Sequence, residues 1–212
     1  KYLEAMNFKG LDKKDYKYNT TCLGGFTNGT TVVEMAAGYA TIANDGEYRT
    51  PDCIIKITDA KGNDIVPEDT STKSVYSSSA SRMMTSVLQS CVTEYEGTAH
   101  VCQLDVDMPA ACKTGTTNNY VDGWLCGYTP YYTTAVWVGM DVYKSVDNLK
   151  GNTYPSSIWT NYMNKIHQGL PRKEFESYLG DTESTTEATT ESTEDDTEST
   201  TEATTEEAIE DD

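Results

Sequence analysis

The sequence lacks the cysteine spacing that is typical of structural zinc sites. It has two histidines and six cysteines, and no two of the cysteines form a Cys-x-x-Cys pair. Structural zinc sites draw their ligands from closely spaced cysteines and histidines. We therefore expect no metal ion and no other cofactor, and we expect most of the cysteines to be small, buried apolar side chains.

The sequence also lacks a long apolar run and an excess of positive charge. No stretch has the length and composition to cross a bilayer, and none resembles a signal peptide. Lys and Arg number 16 against 34 Asp and Glu, which gives a net charge of −18. Nucleic-acid binders usually carry a basic patch or stripe, so we expect no nucleic-acid partner.

The negative charge is concentrated near the end of the chain. Fourteen of the acidic residues and no basic ones fall in 181–212, which leaves 20 acidic and 16 basic residues before them. The ten residues 182–191, rich in Thr and Glu, recur unchanged as 197–206. So few apolar side chains cannot offset the entropy lost on folding. We predict a folded part at 1–179 and a disordered, low-complexity acidic tail at 180–212.

Hydrophobic spacing predicts several helices before that tail. Thr31 and Glu34 form a Thr-x-x-Glu capping box at the start of one of them. The helix at 77–92 repeats apolar side chains at helical spacing, and we expect this stripe to face the core. The stripe consists of Met83, Met84, Val87, Leu88 and Cys91. The predicted helices cover 2–8, 31–42, 77–92 and 155–168.

Strand patterns predict an antiparallel meander in the second half of the chain. We therefore expect an α+β fold, in which an antiparallel sheet is flanked by helices. Cys112 and Cys126 lie on strands that we expect to be neighbours, so they are the best candidate pair if the cysteines form disulfides. The predicted meander strands cover 110–117, 123–128 and 134–140. A separate hairpin is predicted with strands at 53–58 and 64–66 and a turn at 60–63.

The most informative motif is Lys113-Thr114-Gly115-Thr116-Thr117, at the end of the first meander strand. Lys-Thr-Gly is one of three elements that a group of serine acyl-transfer enzymes uses together. The other two elements, Ser-x-x-Lys and Ser-x-Asn, occur nowhere in the 212 residues. The sequence therefore holds part of an acylation site without the nucleophile.

A strand edge with this motif presents an ammonium, hydroxyls and a backbone amide to one reacting centre. Glycine at the third place leaves the strand surface clear, so a substrate backbone can add as a further strand. The ammonium of Lys113 attracts a carboxylate, which the hydroxyls of Thr114 and Thr116 can bind. The backbone N–H of Thr116 can donate to an oxyanion, a contact whose removal raises the barrier by about 3 kcal/mol. A lone Lys-Thr-Gly is also an ordinary strand-to-turn segment, so its surroundings decide its meaning.

Those surroundings resemble the transpeptidase domain of class A penicillin-binding proteins. Residues 112–141 (CKTGTTNNYVDGWLCGYTPYYTTAVWVGMD) are similar to the third-motif region of that family. Residues 24–51 (GGFTNGTTVVEMAAGYATIANDGEYRTP) are similar to a helical segment that precedes it. Gly97-Thr98-Ala99 before the motif strand and a helix at 155–163 after it also fit. Four landmarks in the family order favour the resemblance over a chance match to one short motif.

The resemblance implies a serine D,D-transpeptidase that cross-links peptidoglycan stem peptides through an acyl-enzyme. It also implies a penicillin-binding/β-lactamase-like α+β fold, of which this chain is the C-terminal part, with the serine upstream of Lys1. The residues carried over as catalytic are Lys113, Thr114, Gly115 and Thr116, with Thr116 supplying the oxyanion amide. Those carried over as substrate-binding are Thr114, Thr116 and Thr117.

The resemblance further implies the partners and the location. We expect a D-Ala-D-Ala stem peptide, β-lactams and the rest of the same transpeptidase domain as partners. We expect the parent protein at the outer face of the bacterial cytoplasmic membrane, held by an N-terminal anchor outside these residues. Whether the chain itself is an enzyme stays open, because it lacks the nucleophile.

Two alternatives to a transpeptidase segment remain. The first is a catalytically inactive module that still binds cell-wall peptides or partners. The second is a β-lactamase or β-lactam sensor on the same fold, which residues 24–51 disfavour because they resemble the transpeptidases.

Other candidate residues have simpler interpretations. His100 and Cys102 lack the flanking pattern of a Cys-His nucleophilic site, and we interpret them as structural. We interpret Trp124 as a packing residue and Asp122 as a hydrogen-bond anchor in the turn after the motif.

Overall fold

The computed structural model describes residues 1–65 and 71–178. The predicted tail at 180–212 and the predicted strand residue Val66 lie outside these described residues. The α-helices are α1 (Tyr2–Ala5), α2 (Val32–Ala43), α3 (Ser78–Thr93) and α4 (Tyr154–Ile166). The strands are β1 (Glu47–Tyr48), β2 (Lys73–Ser74), β3 (Ala111–Thr116), β4 (Asp122–Tyr128) and β5 (Thr133–Gly139). This mixture of helices and antiparallel strands confirms the predicted α+β class.

The central sheet is the predicted antiparallel meander, with the strand order β3-β4-β5. Lys113 lies opposite Cys126, and Trp124 lies opposite Trp137. Residues directly opposite each other share a face of the sheet, and neighbours along a strand alternate between the two faces. The front face therefore carries Ala111, Lys113, Gly115, Trp124, Cys126, Tyr128 and Trp137. The back face carries Cys112, Thr114, Thr116, Gly123, Leu125, Gly127 and Val136.

The register shows that the predicted pairing of Cys112 with Cys126 is wrong. Their strands are neighbours, but Cys112 lies opposite Gly127 on the back face, whereas Cys126 lies on the front face. An offset of one residue places two side chains on opposite faces of a sheet, where they cannot form a disulfide. All six cysteines carry free thiols in the structure.

The helix α4 covers the back face of the sheet. Trp159 and Met163 are fully buried against Cys112 and Leu125. Gly127 leaves the space for the indole, because a Cβ at that position would lie 2.5 Å from Cys112 Sγ and 3.1 Å from the ring of Trp159. The main hydrophobic core therefore lies between α4 and the back face.

The helices α2 and α3 cover one end of the front face. Leu88 of α3 packs against Ala111 and Tyr128 of the sheet, and Tyr39 of α2 packs against the same cluster. Thr85 Oγ1 and the Tyr128 hydroxyl form a buried hydrogen bond of 2.8 Å. Burial raises the pKa of Tyr128 to about 12, so its hydroxyl stays protonated at neutral pH and can donate.

The predicted core stripe of α3 is wrong except at Leu88 and, in part, Cys91. Met83, Met84 and Val87 are 54%, 46% and 56% exposed. The buried side chains of this helix are instead Ser81, Thr85, Leu88 and Val92. Thr85 can be buried against Tyr128 because its hydroxyl bonds both the Tyr128 hydroxyl and the Ser81 carbonyl, whereas the buried Ser81 hydroxyl lies near Gly46 without such a bond among the described residues. Apolar spacing alone could not identify a buried stripe that is half polar.

The predicted capping box at the start of α2 is confirmed. Thr31 Oγ1 accepts a hydrogen bond of 3.1 Å from the Glu34 N–H, and Glu34 Oε2 accepts one of 2.8 Å from the Thr31 N–H. Glu34 Oε1 also accepts a hydrogen bond from the Lys9 N–H. Burial alone would raise the pKa of Glu34, but these hydrogen bonds to its carboxylate hold the pKa below the ordinary value.

In the described part of the predicted hairpin, 53–58 and 64–65, no strand forms. This part has a single bridge, between Thr58 and Asp64, and the turn is held by the Asp59 carboxylate, which accepts from the Asn63 N–H. Ile54 and Ile55 are 56% and 95% exposed. An isolated two-stranded hairpin is marginal in water unless one face packs against something, and these isoleucines lie exposed among the described residues.

The ends of two other helices differ slightly from the prediction. The helix predicted at 2–8 ends at Ala5, and Asn7 takes a left-handed φ of 60° that stops it. The helix predicted at 155–168 forms as α4, with Pro155 in its first turn. Within the described ranges, none of the helices combines the length and the apolar composition that a membrane crossing requires.

Candidate active-site strand

The strand β3 lies at the edge of the meander and carries the Lys-Thr-Gly motif. Lys113 is exposed on the front face, and its Nζ donates a hydrogen bond of 2.8 Å to the Thr114 carbonyl. The ammonium therefore rests along its own strand, near the backbone to which a substrate strand would pair. Its present partner is a carbonyl oxygen and not the carboxylate that the motif is expected to attract.

Thr114 points from the back face towards the loop that follows α3. Its Oγ1 donates a hydrogen bond of 2.9 Å to Thr98 Oγ1. Gly97 allows a tight turn after α3, because a Cβ there would clash with the Cys91 carbonyl oxygen. The Gly97-Thr98-Ala99 landmark thus has a structural role, since it brings a hydroxyl against the motif strand.

Gly115 faces the front, beside a pair of indole rings. A Cβ on Gly115 would lie 3.2 Å from Trp124 Cβ. Because glycine has no side chain, nothing projects from the front face of the strand at this position. The rings of Trp124 and Trp137 are 6.5 Å apart and tilted by 49°. Trp137 Nε1 donates a hydrogen bond of 2.9 Å to Asp122 Oδ1. Gly115 and the two indoles form the floor of the open end of the front face.

Thr117 and Asp122 close the turn that links β3 to β4. Thr117 Oγ1 accepts from the Asp122 N–H at 2.8 Å and donates to Asp122 Oδ2 at 3.2 Å. Between them, Asn119 and Tyr120 have left-handed φ values of 61° and 54°. The interpretation of Asp122 as a hydrogen-bond anchor is confirmed. The predicted substrate-binding hydroxyl of Thr117 is already bonded to this carboxylate.

Thr116 ends the motif strand, and its side chain lies on the back face. Its Oγ1 accepts a hydrogen bond of 2.9 Å from the Gly151 N–H, in the segment that leads into α4. Gly151 is not recognisable from the sequence, because no motif marks a glycine that contacts a distant strand. The structure thus brings together all five residues of the motif, with Thr98, Asp122 and Gly151 as their partners.

His100 and Cys102 do not form a nucleophilic pair. His100 Nδ1 hydrogen-bonds the Val92 carbonyl at 3.1 Å, and Cys102 is fully buried. The Cys112 thiol, through a hydrogen bond, lowers the pKa of Cys102 to about 7, whereas burial raises the pKa of Cys112. These thiols interact inside the core, away from the solvent, in agreement with a structural role.

Comparison with known proteins identifies the family. Residues 9–168 match the penicillin binding protein transpeptidase domain. Penicillin-binding protein 4 of Bacillus subtilis is 35% identical over 158 residues, and penicillin-binding protein 1A of Clostridium botulinum is 33% identical over 154 residues. The chain belongs to the family of penicillin-binding protein transpeptidase domains.

Solved structures agree with this assignment. The penicillin-binding protein PonA1 of Mycobacterium tuberculosis is 25% identical and superposes with a TM-score of 0.69, over 82% of this chain and 50% of that chain. The relatives are much longer than the matched region. The match covers 74% of this chain but 25% of the Bacillus protein, and 73% of this chain but 18% of the Clostridium protein.

Proposed function

We propose that this chain is the substrate-binding part of a peptidoglycan D,D-transpeptidase domain, whose serine nucleophile lies upstream of Lys1. The observation that carries the proposal is the edge strand β3, on which Lys113 is exposed and no side chain projects at Gly115. An edge strand offers unpaired backbone groups to an extended peptide. A stem peptide ending in D-Ala-D-Ala pairs along this edge.

The motif residues then take separate roles in the reaction. The Lys113 ammonium attracts the terminal carboxylate of the stem peptide and keeps the nearby serine hydroxyl in register. The hydroxyls of Thr114 and Thr117 exchange their present acceptors for that carboxylate, while Thr116 Oγ1 keeps the bond from the Gly151 N–H and donates its own hydrogen to the carboxylate. The Thr116 N–H donates to the oxyanion that forms when the serine attacks the peptide carbonyl.

The chemistry is a two-step acyl transfer. The serine oxygen forms a bond to the carbonyl carbon of the penultimate D-Ala, the peptide bond breaks, and the terminal D-Ala leaves with a proton on its amine. An amine from a neighbouring stem peptide next attacks the ester and releases the serine. Without a Ser-x-x-Lys, these 212 residues perform neither step alone.

β-Lactams and the rest of the domain are the other proposed partners. The structure of PonA1 has been determined in complex with penicillin V, and that protein superposes on this chain with a TM-score of 0.68. This likeness supports β-lactam binding at the same strand. The proposed location is the outer face of the bacterial cytoplasmic membrane, where an anchor outside these residues holds the protein.

An inactive binding module is the alternative, and an upstream sequence without a Ser-x-x-Lys would favour it. The test is to sequence the gene upstream of Lys1 and to label both protein lengths with a fluorescent penicillin, followed by denaturing electrophoresis. We expect a Ser-x-x-Lys upstream, a labelled long product and an unlabelled 212-residue chain. An unlabelled long product would favour the inactive module. A label on the short chain would show that the nucleophile lies within it, against the proposal.

A further inference from the structure

Gly151 lies directly behind the Lys-Thr-Gly strand, on the back face of the sheet. It is buried, in the segment between β5 and α4. A Cβ on Gly151 would lie 2.8 Å from both the N and the O of Gly115 and 2.7 Å from the carbonyl oxygen of Trp124. Its φ is outside the left-handed region, so space and not backbone conformation demands glycine at this position.

Hydrogen bonds join Gly151 to the motif strand on one side and to α4 on the other. The Gly151 N–H donates to Thr116 Oγ1 at 2.9 Å, and the Gly151 carbonyl accepts from Ser156 Oγ at 2.7 Å. Ser156 is fully buried in the first turn of α4. Two hydrogen bonds to the backbone of Gly151 therefore link the start of α4 to the hydroxyl of Thr116.

We infer that Gly151 is a positioning residue for Gly115 and Thr116. This inference rests on the proposed function, in which Thr116 meets the substrate. Close contact with the Gly115 backbone fixes the depth of the strand from behind. The Gly151 N–H occupies one acceptor site of the Thr116 oxygen, which directs the hydroxyl hydrogen towards another acceptor, such as the terminal carboxylate of a stem peptide.

The hydrogen-bond geometry at Thr116 favours an anionic ligand group. A hydroxyl whose oxygen already accepts a backbone N–H is a better donor to a second partner, because successive hydrogen bonds polarise one another. Ser156 holds Gly151 in place through the bond to the Gly151 carbonyl. Gly151 thus prepares the motif strand for a carboxylate without touching the ligand.

The experiment compares Gly151→Ala with the matched control Gly38→Ala in the 212-residue chain. A Cβ on Gly38, in α2, would meet Phe8 at an ordinary 3.4 Å. The first measurement is the set of ¹H–¹⁵N signals and amide exchange rates of Gly115 and Thr116. The second is the Kd of a diacetyl-Lys-D-Ala-D-Ala peptide, by titration of the same signals. We expect Gly151→Ala to move both amide signals and to weaken binding roughly tenfold, and Gly38→Ala to do neither.

A second pair of variants removes hydrogen bonds without adding bulk. Ser156→Ala removes the bond to the Gly151 carbonyl, and we expect the Thr116 amide signal to move with a loss of binding of about threefold. Thr116→Val removes the hydroxyl, whereas Thr116→Ser keeps it. We expect Thr116→Ser to bind nearly as the parent chain does and Thr116→Val to lose binding. These variants decide the question if Gly151→Ala does not fold.

The outcomes separate the positioning role from the proposed function. Unchanged Gly115 and Thr116 amide signals in folded Gly151→Ala or Ser156→Ala would overturn the positioning role. Peptide binding by every variant at the parental Kd would also overturn it and leave the proposed function standing. Absence of peptide binding by the parent chain would count against the proposed function, while the amide signals would still decide the role of Gly151.

Discussion

The back face of the sheet is covered by α4 and the segment before it except at Thr116, which is exposed, whereas α2 and α3 cover only one end of the front face. Trp159 and Met163 are fully buried behind the sheet. In front, Trp137 is 36% exposed and Lys113 is exposed. The covered surfaces provide stability through buried apolar area. The open end of the front face leaves room for a ligand and for further protein. The residues that stabilise the fold and those proposed to bind a ligand therefore lie in different parts of one sheet.

The largest expected effect tests the covered back face. Trp159→Ala should lower the free energy of unfolding by about 3–5 kcal/mol, because it empties a fully buried site between α4 and the sheet. Trp137→Ala, at the open end of the front face, should cost about 1 kcal/mol, mainly through the contact with Trp124. Urea unfolding followed by circular dichroism measures both. Equal losses would contradict the proposed difference between the faces.

The next effect compares two sides of α3. Leu88→Ala should lower the free energy of unfolding by about 2–5 kcal/mol, since Leu88 is buried against Ala111 and Tyr128. Val87→Ala should change it by no more than about 0.5 kcal/mol, because Val87 is 56% exposed. The two substitutions lie one residue apart, so denaturant midpoints compare them directly. A large loss from Val87→Ala would show that the predicted apolar stripe is buried after all.

A smaller effect concerns the start of α2, which covers the front face. Thr31→Ala removes the acceptor for the Glu34 N–H and should cost about 1 kcal/mol. Thr31→Ser retains the hydroxyl and serves as the control. Ser77→Ala, at the start of α3, should cost less, since the hydrogen bond from the Ala80 N–H is long at 3.3 Å. Thermal denaturation of the three variants gives the ranking, and a cost for Ser77→Ala above that for Thr31→Ala would reverse it.

The smallest effect is the pH dependence that Glu34 adds to the same helix. Its pKa is lowered in the folded chain, because hydrogen bonds from Lys9, Thr31 and Thr30 outweigh the opposing effect of burial. The resulting stabilisation is complete above the ordinary pKa of about 4.3 and is lost as the pH falls through the lower, folded value. Glu34→Gln should flatten the dependence of Tm on pH below about pH 5. An identical slope in the variant would rule out this contribution.

Sequence patterns predicted the elements whose contacts are local. The Thr31 to Glu34 capping box and the antiparallel meander depend on residues that are close in the chain, and both formed as expected. The strand at 53–58 failed because β-branched residues favour a strand only when a neighbouring surface covers them. Ile55, at 95% exposed, has no such cover among the described residues.

Strand register and contacts between distant residues could not be predicted from the sequence. One residue of register separates Cys112 from Cys126, and no local pattern fixes it. Gly151 lies 36 positions from Gly115 along the chain, and only the folded structure brings the two together. The motif residues themselves were identifiable, while their present hydrogen-bond partners were not. The domain boundary after residue 179 stays a prediction.

Because the two faces are covered unequally, the tryptophans of the chain differ in their exposure to solvent and therefore in their fluorescence. Its three tryptophans are divided, with Trp159 sealed in the core and Trp124 and Trp137 at the open end of the front face. Indole emission shifts to shorter wavelength in apolar surroundings and is quenched from solution where the ring is accessible. Quenching by iodide or acrylamide will therefore divide the fluorescence into a protected and an accessible fraction. A partner that binds the front face will lower the accessible fraction and raise the protected fraction, so its binding can be followed without an added dye.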